Sequence, residues 1–191
     1  MSDFKIVQWH KGIDLTEYYA GAEAVGHVNN ASQKMLIDCF NNEREFVLNL
    51  LYEDDTIIGT QIIHTFDEVG PNAWRAGRTS LIKKPPDEIR LSGMSQISKL
   101  QNYTDQFFHS TAIKFVTERN GELYSTTNAN PEGSQSLVNK IYFPKLAKMG
   151  IVENLGEMDY RYTKQTLWKF NFERFWELYN LFPKWKLSTN H

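Results

Sequence analysis

Arg90-Leu91-Ser92-Gly93-Met94-Ser95 opens a stretch that runs to Thr127 and organises the reading of the whole chain. After it, Ile97, Leu100, Tyr103, Phe107, Phe108, Ile113 and Phe115 recur at helical spacing, which predicts a helix from Gln96 to about Arg119. Asn120-Gly121 ends that helix. Glu122 to Thr127 follows, rich in residues that favour strands. A small-residue turn feeding a helix leaves the first backbone N–H groups unpaired at the positive end of the helix dipole, and both attract phosphate. Gly93 lets a ligand approach the backbone closely. The plainer reading, an ordinary capped helix start, fits the same residues.

The 191 residues fit one domain, 1–191, with enough chain for a substantial core. Hydrophobic residues at 41% and charged residues at 23% are those of a globular chain. The single cysteine, Cys39, rules out an internal disulfide and suggests a reducing compartment. No apolar run reaches spanning length, and Met1 to Lys5 lacks signal-peptide features, so the expected location is cytoplasmic with no membrane partner. The net charge of −2 argues against nucleic acid as a partner. The charge is uneven: residues 1–72 carry net −8, residues 73–148 net +5 and residues 149–191 net +1. The basic excess lies around the phosphate turn and raises the case for a bound anion.

Along the chain, Phe4 to Trp9 reads as a first strand. Asp14 caps a helix over Leu15 to Val25, and Asn30 caps a second over Ala31 to Asn41. Cys39 falls on the apolar stripe of the second helix, a core position with no positive partner to activate a thiolate. Glu45 to Tyr52 and Thr56 to Phe66 form a hairpin, and Gly59 marks a bulge or close approach. Ala73 to Lys83 is a fourth strand, with a bulge suggested at Gly77 and a stop at Pro85-Pro86. Ser134 caps a helix to Met149, kinked or delayed by Pro144 and closed by Gly150. Ile151 to Tyr162 is a strand. Leu167, Trp168, Phe170, Phe172, Phe175, Trp176, Leu178 and Leu181 predict a last helix ending at Pro183.

This order of elements resembles the GCN5-related N-acetyltransferase (GNAT) superfamily over most of the chain, as a divergent member. Arg90-x-x-Gly93-x-Ser95 stands where that family has Q/R-x-x-G-x-G/A, with serine in the last place. Leu51 to Gly59 resembles its hairpin. Asn139 to Ile151 is similar to its N-x-x-A-x-x-L-Y-x-K-x-G-F ending. Leu146 stands where the family often has a general-acid tyrosine, and Tyr142 lies one turn earlier. The resemblance implies an α/β (α+β mixed) fold: a single-domain acyl-CoA N-acyltransferase-like fold, with a mixed, mostly antiparallel sheet of six to seven strands flanked by helices.

The resemblance also implies a chemistry, transfer of an acetyl group from acetyl-CoA to a primary amine of a small molecule or peptide in a ternary complex. Acetyl-CoA would be the acyl donor and no metal would be needed. Its pantetheine would lie along Leu81 and Ile82, and its pyrophosphate at Arg90, Gly93, Met94 and Ser95. Asn128 could bind pantetheine or substrate, or form a turn. Tyr142 is the candidate proton donor to the leaving thiolate; the plainer reading is a core aromatic. Arg75 and Arg78 could select an acidic substrate or sit as solvated edge charges. The five histidines show no metal spacing, and His64 is a possible base. The alternative is a non-catalytic GNAT-like ligand-binding or protein-interaction module.

Overall fold

The computed structural model describes residues 4–24, 37–81, 108–130, 138–161 and 163–181. Among these residues, seven strands form one sheet in the order β1-β2-β3-β4-β5-β7-β6. They are β1 (Phe4–Gln8), β2 (Phe46–Glu53), β3 (Thr56–Thr65), β4 (Ala73–Leu81), β5 (Glu122–Asn128), β6 (Val152–Tyr160) and β7 (Thr163–Phe170). Every neighbouring pair is antiparallel except β4 with β5. The helices are α1 (Thr16–Ala24), α2 (Ser110–Thr117), α3 (Phe143–Lys148) and α4 (Phe172–Leu181). Residues 37–41 are also helical, and a π-helical segment, Val138–Tyr142, leads directly into α3. This is the expected mixed, mostly antiparallel sheet with flanking helices.

The parallel contact follows from connectivity. β4 and β5 are joined by a long crossover that includes α2, whereas the antiparallel neighbours β2 and β3 are joined by a two-residue turn at Asp54 and Asp55. Strand alternation divides the side chains between two faces. On one face Ile63, Trp74, Leu123, Trp168 and Phe170 meet Ile113 and Val116 of α2, Phe143 and Leu146 of α3 and Phe175 of α4. On the other, Leu48, Leu50 and Ile62 pack with Leu15 and Cys39. Full burial of each such aliphatic or aromatic side chain contributes about 1.5–3 kcal/mol.

Two local expectations have visible causes. Asp14 Oδ1 accepts from the Thr16 backbone N–H at 2.9 Å and from Thr16 Oγ1 at 2.7 Å, which starts α1. Gly150 ends α3 with φ +75°, a conformation that favours glycine. Pro144 lies in the first turn of α3, where its missing N–H costs little. The α-helix therefore starts late, at Phe143 after the π-helical turn, which is the delay that Pro144 predicts. The starts expected at Asn30, Ser134 and Gln96 lie outside the described residues.

The last part of the chain differs from the expected single helix. Thr163–Phe170 is a strand paired with both β5 and β6, and among the described residues after it only Phe172–Leu181 is helical. The buried positions Thr166, Trp168 and Phe170 alternate with period two, while Phe175 and Leu178 follow at helical spacing. The two patterns abut and merge into one apparent apolar stripe. The preceding strand also stops at Tyr160 rather than Tyr162, because Arg161 turns the chain with φ +58°.

Candidate active site

The sheet opens between β4 and β5. The two strands pair at Ala73–Glu122, Trp74–Leu123 and Arg75–Tyr124, and no further register pairs join them among the described residues. Side chains close the end of the ladder. Ser125 Oγ donates to the Ala76 carbonyl at 3.1 Å. Arg75 Nε and Nη2 donate to Thr126 Oγ1 at 3.0 and 2.7 Å. Past these contacts, β4 runs on to Leu81 and β5 to Asn128 without pairing to each other. Backbone polar groups on the facing edges are thereby available to another molecule.

β4 carries a bulge in the same half. Thr60 pairs with Ser80 and Ile62 with Gly77, so Arg78 and Thr79 together oppose Gln61. This lies next to the glycine where the sequence suggested a bulge. A bulge re-aims side chains, and here Gln61 Nε2 donates to Thr79 Oγ1 at 3.0 Å. The second irregularity, between β2 and β3, leaves Ile58 as the extra residue beside Gly59.

Arg75 lies beside the base of the opening. Its guanidinium is 4.9 Å from the Tyr160 ring centroid, and Nη1 approaches His64 Nε2 at 3.5 Å. A Cβ on Gly77 would come within 2.4 Å of Arg75 Nη1, so glycine permits this placement. His64 Nδ1 donates to the Thr65 carbonyl at 2.6 Å, which leaves Nε2 as acceptor. Burial, reinforced by the Arg75 charge, pushes the His64 pKa down to about 3. Arg75 and His64 are buried within the sheet rather than solvated at its edge.

At the far end of β5 a second set of contacts holds the π-helical segment. Trp168 Nε1 donates to Thr127 Oγ1 at 2.9 Å, and Thr127 Oγ1 donates to Asn139 Oδ1 at 2.7 Å. Asn139 Nδ2 then donates to the Asn128 carbonyl at 2.8 Å. The side chain of Asn128 accepts from the Asn130 backbone N–H at 3.0 Å, which closes the turn after β5. Tyr142 is buried, with its hydroxyl 3.4 Å from His109 Nδ1. Leu146 is fully buried in the core. Burial, with the Asp38 charge next, pushes the Cys39 thiol up to about 11, as suits a core residue.

Of the residues singled out in the sequence, Leu81 ends β4 and pairs with Gly59, Asn128 ends β5, and Tyr142 ends the π-helical segment. Ile82, Arg90, Gly93, Met94 and Ser95 lie outside the described residues. Ser125 and Thr126, which close the ladder, and the amides Asn49 and Gln61 are not among the residues the sequence singles out. Asn49 within Phe46–Glu53 and Gln61 within Ile58–Ile63 are polar residues interrupting apolar runs, a signal that was present. Among the described residues no group of three acidic, histidine or cysteine side chains could hold a metal, and no helix is long and apolar enough to cross a membrane.

No protein-family model and no curated protein sequence matches the chain. Solved structures do. A putative acetyltransferase of the GNAT family from Desulfovibrio desulfuricans aligns with TM-score 0.56 at 9% identity, over 89% of this chain and 99% of that one. The aminoglycoside 6'-N-acetyltransferase from Enterococcus faecium aligns with TM-score 0.51 at 11% identity, over 87% and 96%. A GNAT family acetyltransferase from Elizabethkingia anophelis, with acetyl-CoA bound, aligns with TM-score 0.50 at 12% identity, over 88% and 97%. With the seven-stranded sheet and its opening between β4 and β5, these likenesses show that the chain has the GNAT fold.

Proposed function

We propose that the chain is an N-acyltransferase that transfers an acetyl group from acetyl-CoA to a primary amine of a small molecule or peptide. The observation that carries this reading is the divergence of β4 from β5 just past Arg75. It leaves strand-edge backbone groups facing a cleft, in a fold whose solved neighbours include an acetyltransferase with acetyl-CoA bound. A neighbour that is an aminoglycoside 6'-N-acetyltransferase supports an amine as acceptor.

In this reading the backbone of Leu81 and Ile82 holds the pantetheine arm. The turn of Arg90, Gly93, Met94 and Ser95 meets the pyrophosphate with N–H groups and positive charge, so the assignment includes no metal. Asn128 borders the cleft through the end of β5. The bound thioester supplies the acetyl group. As the amine nitrogen bonds to the carbonyl carbon and the C–S bond breaks, the electron pair passes to sulfur and the Tyr142 hydroxyl delivers a proton to it; the proton that nitrogen sheds on becoming an amide returns through solvent to the Tyr142 phenolate. The acceptor ammonium must lose its proton beforehand. His64 does not serve as the base: its Nδ1–H is held by Thr65 and its Nε2 faces Arg75.

The test is release of free thiol from acetyl-CoA across a panel of primary amines. Tyr142→Phe should lower kcat by about 10²–10⁴-fold, with acetyl-CoA affinity nearly unchanged. Unchanged turnover removes Tyr142 from the reaction. One observation favours the non-catalytic alternative: the fully buried Leu146 occupies the position where the family often has its tyrosine. Binding of acetyl-CoA with no thiol release for any amine supports that alternative.

A further inference from the structure

Asn49 and Gln61 are direct cross-strand partners on β2 and β3, and both are fully buried. Among the described residues, Asn49 Nδ2, Asn49 Oδ1 and Gln61 Oε1 have no hydrogen-bond partner. Gln61 Nε2 is engaged by Thr79, which is exposed on the bulged arm of β4. The three residues thus form a polar row that starts in the sheet interior and reaches the surface beside the cleft. Natural cores leave few buried polar groups unmatched, because each loses its water without replacement. Three such atoms on two facing side chains point to a partner outside the described chain.

The unmatched set defines that partner's chemistry. It comprises two carbonyl oxygens, which accept, and one NH2 group, which donates. The complement is a neutral group with two hydrogen-bond donors and one acceptor, which a single buried water also supplies and which propanamide would have to displace. A primary carboxamide has this pattern, whereas a secondary amide has one N–H and a tertiary amide none. An ammonium group offers no acceptor, and the row contains no carboxylate to balance its charge.

We propose that Asn49 and Gln61, entered past Thr79, bind a primary carboxamide carried by the acceptor. The assignment to the acceptor rests on the acyltransferase reading; the binding of a carboxamide does not. Side-chain NH2 signals of Asn49 and Gln61 are identified in a ¹⁵N-labelled protein by their loss in Asn49→Leu and Gln61→Met. Propanamide should shift both signals saturably, and N,N-dimethylpropanamide should leave them in place. No shift with propanamide, or equal shifts with both compounds, overturns the site. In the thiol-release assay glycinamide should exceed glycine N,N-dimethylamide, whose amine is of similar basicity, in kcat/KM by at least about tenfold, and this preference should fall to parity in Gln61→Met. Equal use of the two amines by the wild-type protein overturns the assignment to the acceptor. Failure of acetyl-CoA to bind, measured separately by calorimetry, removes the acyltransferase reading and leaves the propanamide result to decide the site.

Discussion

Two buried polar groupings lie in the same sheet and differ in how they are satisfied. In one, His64 and Arg75 are matched across three strands: His64 holds the Thr65 carbonyl and faces Arg75, and Arg75 donates twice to Thr126. In the other, Asn49 and Gln61 face each other with three polar atoms unmatched among the described residues. The contrast separates a structural use of buried polarity from one that calls for a ligand. The matched group ties β3 to β4 and β4 to β5 at the place where the ladder ends. The unmatched pair lies farther along the sheet, opposite the β4 bulge.

The largest effect expected of the matched group is its dependence on pH. Unfolding frees His64 to titrate near 6.5, while burial holds the folded group near 3. Above pH 6.5 both states carry neutral His64 and stability is undiminished. As pH falls through the window from 6.5 to 3, the unfolded chain takes up the proton first, and stability drops by about 1.4 kcal/mol per unit from this group. Between pH 6.5 and 4.5, denaturant titrations should therefore show wild type losing roughly 2 kcal/mol more than His64→Gln. Parallel pH curves would mean that His64 is readily protonated in the fold.

Thr126→Val should have the next largest effect. It removes the acceptor of two Arg75 N–H groups and should cost about 1–3 kcal/mol, measured at pH 7. The same change to the unmatched pair should differ in sign. Asn49→Leu deletes two polar atoms that gain nothing from the fold, so stability should hold or rise by up to about 1 kcal/mol, whereas Gln61→Met also gives up the Nε2 bond to Thr79 and should leave stability nearly unchanged. A loss from either amide variant comparable to that of Thr126→Val would erase the distinction between the two groups.

These groups also mark the limit of what the sequence disclosed. Weak alternation in β1, the apolar runs and turn signals of β2 to β5, and the Asp14 and Gly150 signals placed most elements, because those signals act locally. The strand Thr163–Phe170 escaped because its aromatic residues run without a break into the helical spacing of α4. Arg75 reads in the sequence first as a solvated edge charge, since its burial depends on Thr126 and Tyr160, which are distant in sequence. The Asn49–Gln61 pairing depends on hairpin register, and the reach to Thr79 depends on a bulge in the neighbouring strand. The cleft itself follows from where the β4–β5 pairing stops.

Calorimetric titration of acetyl-CoA into the wild-type protein and into Ser95→Asp tests the central claim most directly. The wild-type protein should bind, more weakly at moderate than at low salt, because charged contacts are partly screened. Aspartate suits the first turn of a helix, by about 0.3–1 kcal/mol, so the variant should keep its unfolding free energy. Its carboxylate would compete with pyrophosphate for the N–H donors. Loss of two charge-assisted hydrogen bonds, at about 1.5–3 kcal/mol each, predicts affinity lower by roughly a hundredfold or more. No binding heat from the wild-type protein at millimolar ligand would contradict the acyltransferase reading; full affinity in a stable Ser95→Asp would contradict the phosphate turn.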